Sequence, residues 1–363
     1  MRAGATNSLM DVAGLRVGHA QRVGGGFRTG TTVVLAPEEG AVAGVDVRGA
    51  APGTRETELL DPRNLVERVN AVVLSGGSAY GLGTACGVLE RLADAGLGYP
   101  VAGGVVPIVP AAVIFDLGRG GTFRATPDAA LGAAAYDAAT AATAYDAATA
   151  YDAATAYDAA TTHGTSAPDG GRAINGSVGA GTGAVAGGLA GGAGSASAVL
   201  PDGTTVAALA IVNAAGSVLD PHDATLSGAR YGLPGEFGHL QPPDPEQARA
   251  WRPDLTPAFN TTIGVVATDL TLTKAQCGKL AAVAHDGLAR AIRPAHTMTD
   301  GDTIFGLATC ARPVPAHDTF QDVLAATADA FSRAVAHAVL AATGREGAPA
   351  YLDVFPSALR GRP

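Results

Sequence analysis

The stretch Phe259-Asn260-Thr261-Thr262-Ile263-Gly264-Val265-Val266 predicts a loop that runs into a buried strand, with a polar Asn-Thr pair at the junction. The strand follows from the β-branched and apolar residues after Thr262. If the peptide after Asn260 were cut, Thr261 would carry a hydroxyl and a free α-amine on one residue. An α-amine titrates near roughly pH 8, so it can take the hydroxyl proton and activate this nucleophile without a histidine. The alternative is an ordinary turn or cap.

The composition indicates a soluble chain with much buried surface. Hydrophobic residues make up 47% of the 363 residues and charged residues only 16%, so we expect extensive burial within or between subunits. Fifty glycines and few aromatic residues favour close backbone packing over a large aromatic core. The net charge of −9, without a Lys/Arg cluster, argues against a nucleic-acid surface.

Three features predict a cytoplasmic protein. The three cysteines are scattered without metal-ligand spacing, and an odd count fits a reducing compartment. The first residues lack the pattern of a signal peptide. No run of about 18 apolar residues is free of charges or glycine, so we expect no membrane span.

The first quarter of the chain predicts a β-meander followed by a polar loop. Strands are expected at 12–19, 30–36 and 40–47. The loop at 48–61 carries two arginines and two glutamates. It is either a solvated loop with ion pairs or a segment that shapes a substrate pocket or a subunit contact.

A glycine-rich turn follows the strand predicted at 72–74 and leads into a helix that continues to Leu92. Backbone N–H groups at such a turn suit an anion or an oxyanion, although the glycines could also serve only close packing of helix on sheet. The turn matches neither a dinucleotide-binding fingerprint nor a P-loop. The segment 105–115, punctuated by two prolines, predicts extended buried chain. The candidates for a substrate pocket are Gly76, Gly77, Ser78, Tyr80 and Phe115.

The motif Tyr-Asp-Ala-Ala-Thr occurs four times within 136–162. The last three copies are six residues apart, so on a helix their tyrosines point in three directions and no apolar stripe forms. We therefore expect a low-complexity insertion, either a solvent-facing helix or a partly disordered extension, without a catalytic role.

The segment 176–197, almost entirely Gly, Ala, Ser and Thr, resembles a linker in isolation, but strands follow it at once. We predict strands at 195–200 and 204–213 around an Asp202-Gly203 hairpin turn. Asn213 ends the second strand, where a side-chain amide can face an oxyanion or simply form a turn.

The C-terminal third predicts an irregular connection at 219–257, a helix at 273–292, a strand at 304–308 and a long helix at 320–343. Asp300 and Asp302 flank a glycine at the mouth of the strand. They could bind Ca²⁺, cap a turn or polarise a nucleophile, but the rest of a Ca²⁺ loop is absent.

Together these stretches resemble the family of DmpA-type L-aminopeptidase/D-esterases, β-aminopeptidases and nylon-oligomer hydrolases. The resemblance spans nearly the whole chain except the insertion. It rests on five motifs in order: Val45-Asp-Val-Arg-Gly-Ala-Ala-Pro-Gly-Thr-Arg-Glu-Thr57, Leu74-Ser-Gly-Gly-Ser-Ala-Tyr-Gly-Leu82, Val105-Val-Pro-Ile-Val-Pro-Ala-Ala-Val-Ile-Phe-Asp116, Phe259-Asn-Thr-Thr-Ile-Gly-Val265 and Asp300-Gly-Asp-Thr-Ile-Phe305.

The resemblance implies an α+β fold, a four-layer αββα sandwich like that of N-terminal nucleophile hydrolases, formed by one domain spanning 1–363. It implies self-cleavage between Asn260 and Thr261, giving parts 1–260 and 261–363. Thr261 matches the nucleophile and Asn213 the oxyanion-stabilising Asn. Asp300 and Asp302 match paired acids that orient the new ammonium, although they also raise its pKa.

Two positions depart from the family pattern. Gly188 stands where some relatives carry a Lys, and Phe115 stands where some carry a Tyr. A cation and a phenol that could assist proton transfer are therefore missing, but the nucleophile remains.

The sequence thus predicts a self-processing N-terminal threonine hydrolase, an aminopeptidase on small peptides or amides. It needs no cofactor or metal, contacts no nucleic acid or membrane, and is expected to form a homo-oligomer. One alternative is an acyltransferase of the ornithine acetyltransferase type. Another is a non-catalytic binding protein with this fold.

Overall fold

The computed structural model describes residues 1–141, 175–253 and 259–361. Its strands form two large sheets and two small hairpins, β7–β8 and β10–β11. The strands are β1 (Arg16–Gly24), β2 (Phe27–Leu35), β3 (Ala41–Val47), β4 (Thr54–Arg55), β5 (Arg68–Val69), β6 (Ala71–Ser75), β7 (Tyr99–Val101), β8 (Gly104–Val106), β9 (Ala111–Val113), β10 (Val185–Ala186), β11 (Leu189–Ala190), β12 (Gly192–Val199), β13 (Thr205–Val212), β14 (Ile263–Leu270) and β15 (Thr303–Arg312).

The five-stranded sheet has the order β1-β2-β6-β9-β4, and the six-stranded sheet has the order β12-β13-β14-β15-β3-β5. In the larger sheet β14 pairs parallel with β15 and antiparallel with β13. Strands β14 and β15, which follow Thr261 in the chain, thus lie between β13 and β3, which precede it. The two parts on either side of Thr261 are interleaved in one sheet.

Helices cover the outer face of each sheet. The α-helices are α1 (Thr84–Asp94), α2 (Ala129–Ala141), α3 (Pro245–Ala250), α4 (Lys274–Ala291), α5 (His317–Leu340) and α6 (Tyr351–Val354). Helices α1 and α2 pack on the smaller sheet, and α4 and α5 pack on the larger one. Helix α5 is long and apolar enough to cross a membrane, but 83% of its apolar window is buried inside the fold.

The two sheets face each other across a shared core. Val34 and Leu74 of the smaller sheet belong to the same buried cluster as Leu209, Val265 and Phe305 of the larger sheet. Alternate residues of the larger sheet pack instead against α4 and α5. The central strands are therefore buried on both faces, which explains their continuous apolar sequences. This confirms the predicted α+β four-layer sandwich.

Glycine allows the outer helices to contact the sheet backbone directly. A Cβ atom on Gly194 of β12 would lie 2.1 Å from the Ala334 carbonyl oxygen of α5. A Cβ atom on Gly306 of β15 would lie 2.1 Å from the Cys277 carbonyl oxygen of α4. The glycine-rich composition thus reflects close packing, as the sequence predicted.

Several predicted elements form near their expected positions. The 202–203 hairpin joins β12 to β13, with Gly203 at φ +84°. The helices predicted at 273–292 and 320–343 form as α4 and α5. At the N-terminus of α4, Thr273 and Gln276 form a capping box.

The predicted β-meander is wrong. β1 and β2 pair with each other, but β3 pairs with β15 and β5 in the opposite sheet. Each strand was recognised by its own residues, whereas its partner depends on distant contacts. The chain crosses between the sheets after β2.

The first copy of the Tyr-Asp-Ala-Ala-Thr motif is also not the solvent-facing segment predicted. It ends α2, where Ala135, Tyr136 and Ala139 are buried against the smaller sheet and α1. The other copies lie outside the described residues. The first copy thus belongs to the fold.

Candidate active site

Thr261 lies immediately before β14, and its side chain is buried. Its hydroxyl donates a hydrogen bond to the Asn260 carbonyl oxygen at 2.5 Å. The same Oγ1 accepts a hydrogen bond from the Gly301 N–H at 3.1 Å. The Thr261 N–H donates to the Asn213 carbonyl oxygen at 2.6 Å. The peptide between Asn260 and Thr261 is therefore held beside the Thr261 hydroxyl.

The topology of the larger sheet explains this convergence. Ile263 of β14 pairs with Thr303 of β15 in parallel and with Ile211 of β13 in antiparallel register. The segment before β14, the segment before β15 and the segment after β13 therefore meet at one edge of the sheet. These segments carry Thr261, the Asp300–Asp302 turn and Asn213.

Asp302 anchors the first peptide of β14. Its Oδ1 accepts the Thr262 N–H at 2.8 Å. Its Oδ2 accepts the backbone N–H of His296 at 3.1 Å and the ring Nδ1 at 2.8 Å. In the uncut chain this carboxylate thus holds the amide after Thr261, while the Thr261 N–H itself bonds to Asn213. The predicted orientation of a new ammonium by Asp302 stays a prediction.

Asp300 is 2% exposed and only partly hydrogen-bonded. Its Oδ2 accepts hydrogen bonds from the Thr297 N–H at 2.9 Å and the Thr297 hydroxyl at 2.6 Å. Its Oδ1 is buried and makes no hydrogen bond of normal geometry to any described residue, although the Ala215 N–H interacts with the carboxyl. Burial and, less strongly, the neighbouring Asp302 carboxylate raise the pKa of Asp300. A cation placed beside this buried carboxyl would therefore stabilise its ionised form.

The polar loop after β3 packs against these acids. The Ala51 N–H donates to the Asp300 carbonyl oxygen at 2.8 Å, and the Gly49 N–H donates to that of Asp302 at 3.2 Å. A Cβ atom on Gly301 would lie 2.6 Å from the Ala51 carbonyl oxygen and 3.0 Å from Thr261 Oγ1. The loop at 48–61 thus shapes the site, as one of its two predicted roles requires. It also fulfils the other role, a loop with surface ion pairs, because Arg48 pairs with Asp46 and Asp286.

The Asn213 side chain lies at the same edge of the sheet. Its Oδ1 accepts hydrogen bonds from Arg119 Nη1 and, at 3.1 Å, from the Val185 N–H. Its Nδ2 donates to the Phe115 carbonyl oxygen at 3.3 Å. In the uncut chain the side chain is thus fixed from three sides. Its role as an oxyanion donor remains a prediction.

Sequence reasoning missed Arg119, which connects both asparagines of the site. Besides Asn213, it donates to Asn260 Oδ1 at 3.1 Å and to the Gly183 carbonyl oxygen at 2.8 Å. Burial lowers the pKa of Arg119 to about 10, so the guanidinium keeps its charge at neutral pH. A single Arg in a Gly-rich turn gave no signal, since such residues are usually exposed. Arg119 thus supplies a buried cation that contacts both asparagines of the site.

The departure at Gly188 has a steric explanation. Gly188 adopts φ +87°, and a Cβ atom there would lie 2.6 Å from Pro253 Cβ. A lysine side chain does not fit at this position without movement of the chain.

The backbone amides of the glycine-rich turn after β6 are all occupied by hydrogen bonds to neighbouring segments. A short 3₁₀ helix (Ser78–Gly83) follows it, and α1 begins at Thr84. Tyr80 is 47% exposed and packs against the guanidinium of Arg124. The amides of Gly76, Gly77 and Ser78 donate to Gly30 O, Asp116 Oδ1 and Ile114 O, respectively. These amides are therefore not free to bind an anion.

Phe115 is different, because it reaches the site. Its carbonyl oxygen bonds to Asn213, and its ring lies 5.7 Å from that of Phe259, measured between ring centres. Of the five pocket candidates, Phe115 is the one that contacts the site residues Asn213 and Phe259 within the described chain.

The sequence model described as Peptidase family S58 matches residues 7–350. The chain belongs to peptidase family S58. This S58 chain is 46% identical to an uncharacterized aminopeptidase of Mycobacterium leprae, covering 99% of this chain and 97% of the relative. It is 28% identical to a 6-aminohexanoate-oligomer endohydrolase of a Kocuria species, covering 82% and 74% of the two chains.

Two solved structures share the fold of this S58 chain. A Burkholderia beta-aminopeptidase superposes with a TM-score of 0.67 at 22% identity, covering 100% of this chain and 96% of the other. The L-aminopeptidase D-Ala-esterase/amidase from Ochrobactrum anthropi, described as a variant of the Ntn hydrolase fold, gives 0.68 at 18% identity, with 99% and 96% covered.

Membership of peptidase family S58 makes the chain a hydrolase of peptide or amide bonds. The acyltransferase and the non-catalytic binding protein, left open by the residues alone, are not favoured. The family resemblance predicted from the five motifs is confirmed.

Proposed function

We propose that this S58 peptidase cuts its own Asn260–Thr261 bond and then acts as an N-terminal threonine aminopeptidase on small peptides or amides. The observation that carries this proposal is the position of the Thr261 hydroxyl. Its oxygen lies 2.5 Å from the carbonyl oxygen of Asn260 and accepts a hydrogen bond from the Gly301 N–H. The aminopeptidase name of the Mycobacterium leprae relative supports the same activity.

Processing begins when Thr261 Oγ1 attacks the Asn260 carbonyl carbon. The C–O bond forms, the C–N bond breaks, and the hydroxyl proton ends on the departing nitrogen of Thr261. The Gly301 N–H stabilises Oγ1 as this oxygen gives up its proton, and the Asn213 carbonyl holds the nitrogen that leaves. Water then hydrolyses the ester, leaving a carboxylate on Asn260 and a free α-amine on Thr261.

The mature enzyme repeats this chemistry on a substrate. The Thr261 α-amine takes the hydroxyl proton as Oγ1 attacks the substrate carbonyl, and it passes that proton to the leaving amine. The acyl group is then released from Thr261 by water. We assign the Asn213 side chain to stabilising the oxyanion, a role worth about 10²–10³ in rate.

The first test is the intact mass of freshly purified protein under denaturing conditions. Two fragments that meet between Asn260 and Thr261 are expected, with Thr261→Ala as the uncut control and Thr261→Ser as a variant that keeps the hydroxyl. Alanyl p-nitroanilide and its N-acetylated form then distinguish an aminopeptidase from an endopeptidase. A full-length species that persists on long incubation would overturn the proposal.

We also propose a cytoplasmic homo-oligomer. The three cysteines, Cys86, Cys277 and Cys310, are unpaired, which suits a reducing compartment. Large apolar side chains such as Tyr99, Val101 and Val106 are exposed on the β7–β8 hairpin and could be covered by another subunit. Light scattering of the purified protein measures its mass; a monomer would exclude the oligomer.

A further inference from the structure

The residue on the acyl side of the scissile bond has a binding site of its own. Asn260 is 8% exposed, and its backbone N–H donates to the Thr299 carbonyl oxygen at 3.3 Å. Its side-chain Oδ1 accepts from Arg119 Nη2 at 3.1 Å. Because the Asn260–Thr261 peptide is the first bond that Thr261 attacks, the surroundings of Asn260 show which acyl group fits beside the nucleophile.

The side-chain end of this site carries excess positive charge. Arg119 and Arg345 both donate to the Gly183 carbonyl oxygen, at 2.8 and 3.0 Å, so their guanidinium groups are neighbours. The positive charge of Arg28 also repels that of Arg345, and among the described residues Asp116 is the one acid that attracts it. Arg345 Nη1 is buried and makes no hydrogen bond within the described chain. An unsatisfied guanidinium N–H beside a second guanidinium favours a carboxylate ligand.

The amino end of the site carries the opposite charge. Asn260 and Asp300 form a parallel backbone bridge, which sets Asp300 next to Asn260. Asp300 Oδ1 is buried and makes no hydrogen bond of normal geometry within the described chain, although the Ala215 N–H interacts with the carboxyl. In an aminopeptidase substrate a free ammonium replaces the amide N–H of Asn260. Such a buried ammonium requires an anionic partner, and Asp300 is the acid bridged to Asn260.

We propose that the mature enzyme selects substrates whose N-terminal residue is aspartate, with asparagine as the second choice. The β-carboxylate takes the place of Asn260 Oδ1 against Arg119 and extends to Arg345, and the α-ammonium binds Asp300. The length fits, since the β-carbonyl oxygen of Asn260 already reaches Arg119. This inference rests on the proposed function and requires Asn260 to leave the site after cleavage.

The test compares kcat/KM of the processed enzyme on α-aspartyl, asparaginyl, alanyl and leucyl p-nitroanilides. We expect aspartyl to exceed alanyl by about tenfold or more, because a site with unpaired buried polar groups disfavours an apolar analogue. In Arg345→Gln the aspartyl-to-alanyl ratio falls by about tenfold, and Arg345→Lys restores part of it. Arg63→Gln, which removes an exposed ion pair with Asp61, is the matched control and keeps the ratio.

Inhibition of the wild-type enzyme provides a measurement that needs no variant. L-Aspartate should inhibit alanyl p-nitroanilide hydrolysis about tenfold more strongly than L-alanine. Hydrolysis of alanyl or leucyl substrates with equal or slower aspartyl turnover would overturn the specificity and leave the aminopeptidase intact. Absence of both self-cleavage and anilide hydrolysis would overturn the proposed function and this inference together.

Discussion

Asp302 and His296 are joined by two hydrogen bonds, because Asp302 Oδ2 accepts both the ring Nδ1–H and the backbone N–H of His296. A carboxylate can only accept, so the ring carries a proton on Nδ1. Asp302 Oδ1 is thereby directed to the Thr262 N–H, one peptide beyond the nucleophile. His296 is a positioning residue that fixes this carboxylate.

Replacing His296 by Leu should slow self-cleavage by about 10- to 100-fold, because a misplaced reacting group costs about this much in rate. His296→Asn should retain most of the rate, since Asn offers a donor and tolerates the φ of +58° at this position. The fraction cut over time, measured by denaturing electrophoresis, checks both. Equal slowing in the two variants would mean that His296 contributes only packing.

Gly301→Ala should block self-cleavage while leaving the protein folded. The added methyl group would meet the Ala51 carbonyl oxygen and crowd Thr261 Oγ1, displacing the Gly301 N–H from the hydroxyl. Gly278→Ala on α4, where a Cβ atom would meet nothing within 4 Å, is the matched control. It should cleave normally and gain up to about 1 kcal/mol in unfolding free energy. Normal cleavage by Gly301→Ala would contradict the role of this amide.

Arg119→Gln should slow self-cleavage by about 10- to 100-fold, because it removes the charge that links Asn213 and Asn260. Arg119→Lys keeps the charge but loses the fork of donors, so we expect an intermediate rate. Rate constants from intact mass spectra measure the series. If glutamine cleaves as fast as arginine, the cation at this position is dispensable.

Asp300→Asn should stabilise the fold at neutral pH while lowering aminopeptidase activity. The folded state raises the pKa of Asp300, so between its ordinary value and the raised value the folded state binds more protons than the unfolded state. The unfolding free energy therefore falls as pH rises through that window, and asparagine removes this cost. Urea unfolding at pH 3 and pH 7 tests the sign, in the uncut Thr261→Ala background. A variant less stable than its parent at pH 7 would refute it.

The sequence predicted the centre of the site because its parts lie at the ends of strands with strong local signals. Thr261, Asn213 and the Asp300–Asp302 turn each flank an apolar run, and the sheet brings those ends together. Arg119 could not be found this way, since its importance arises from burial by segments about 60 to 140 residues away. The short apolar run of β3 likewise shows that it is a strand, not which sheet accepts it.

The interleaving of β14 and β15 between β13 and β3 determines how the protein behaves after cleavage and on unfolding. The cut severs the chain but no strand pair, so we expect the two polypeptides to remain together as one body. Once unfolded, however, they are separate molecules that must find each other by diffusion before the sheet can form. A continuous chain is thus needed only for the first folding. Heating should therefore inactivate the mature enzyme irreversibly, whereas the uncut Thr261→Ala protein should refold on cooling.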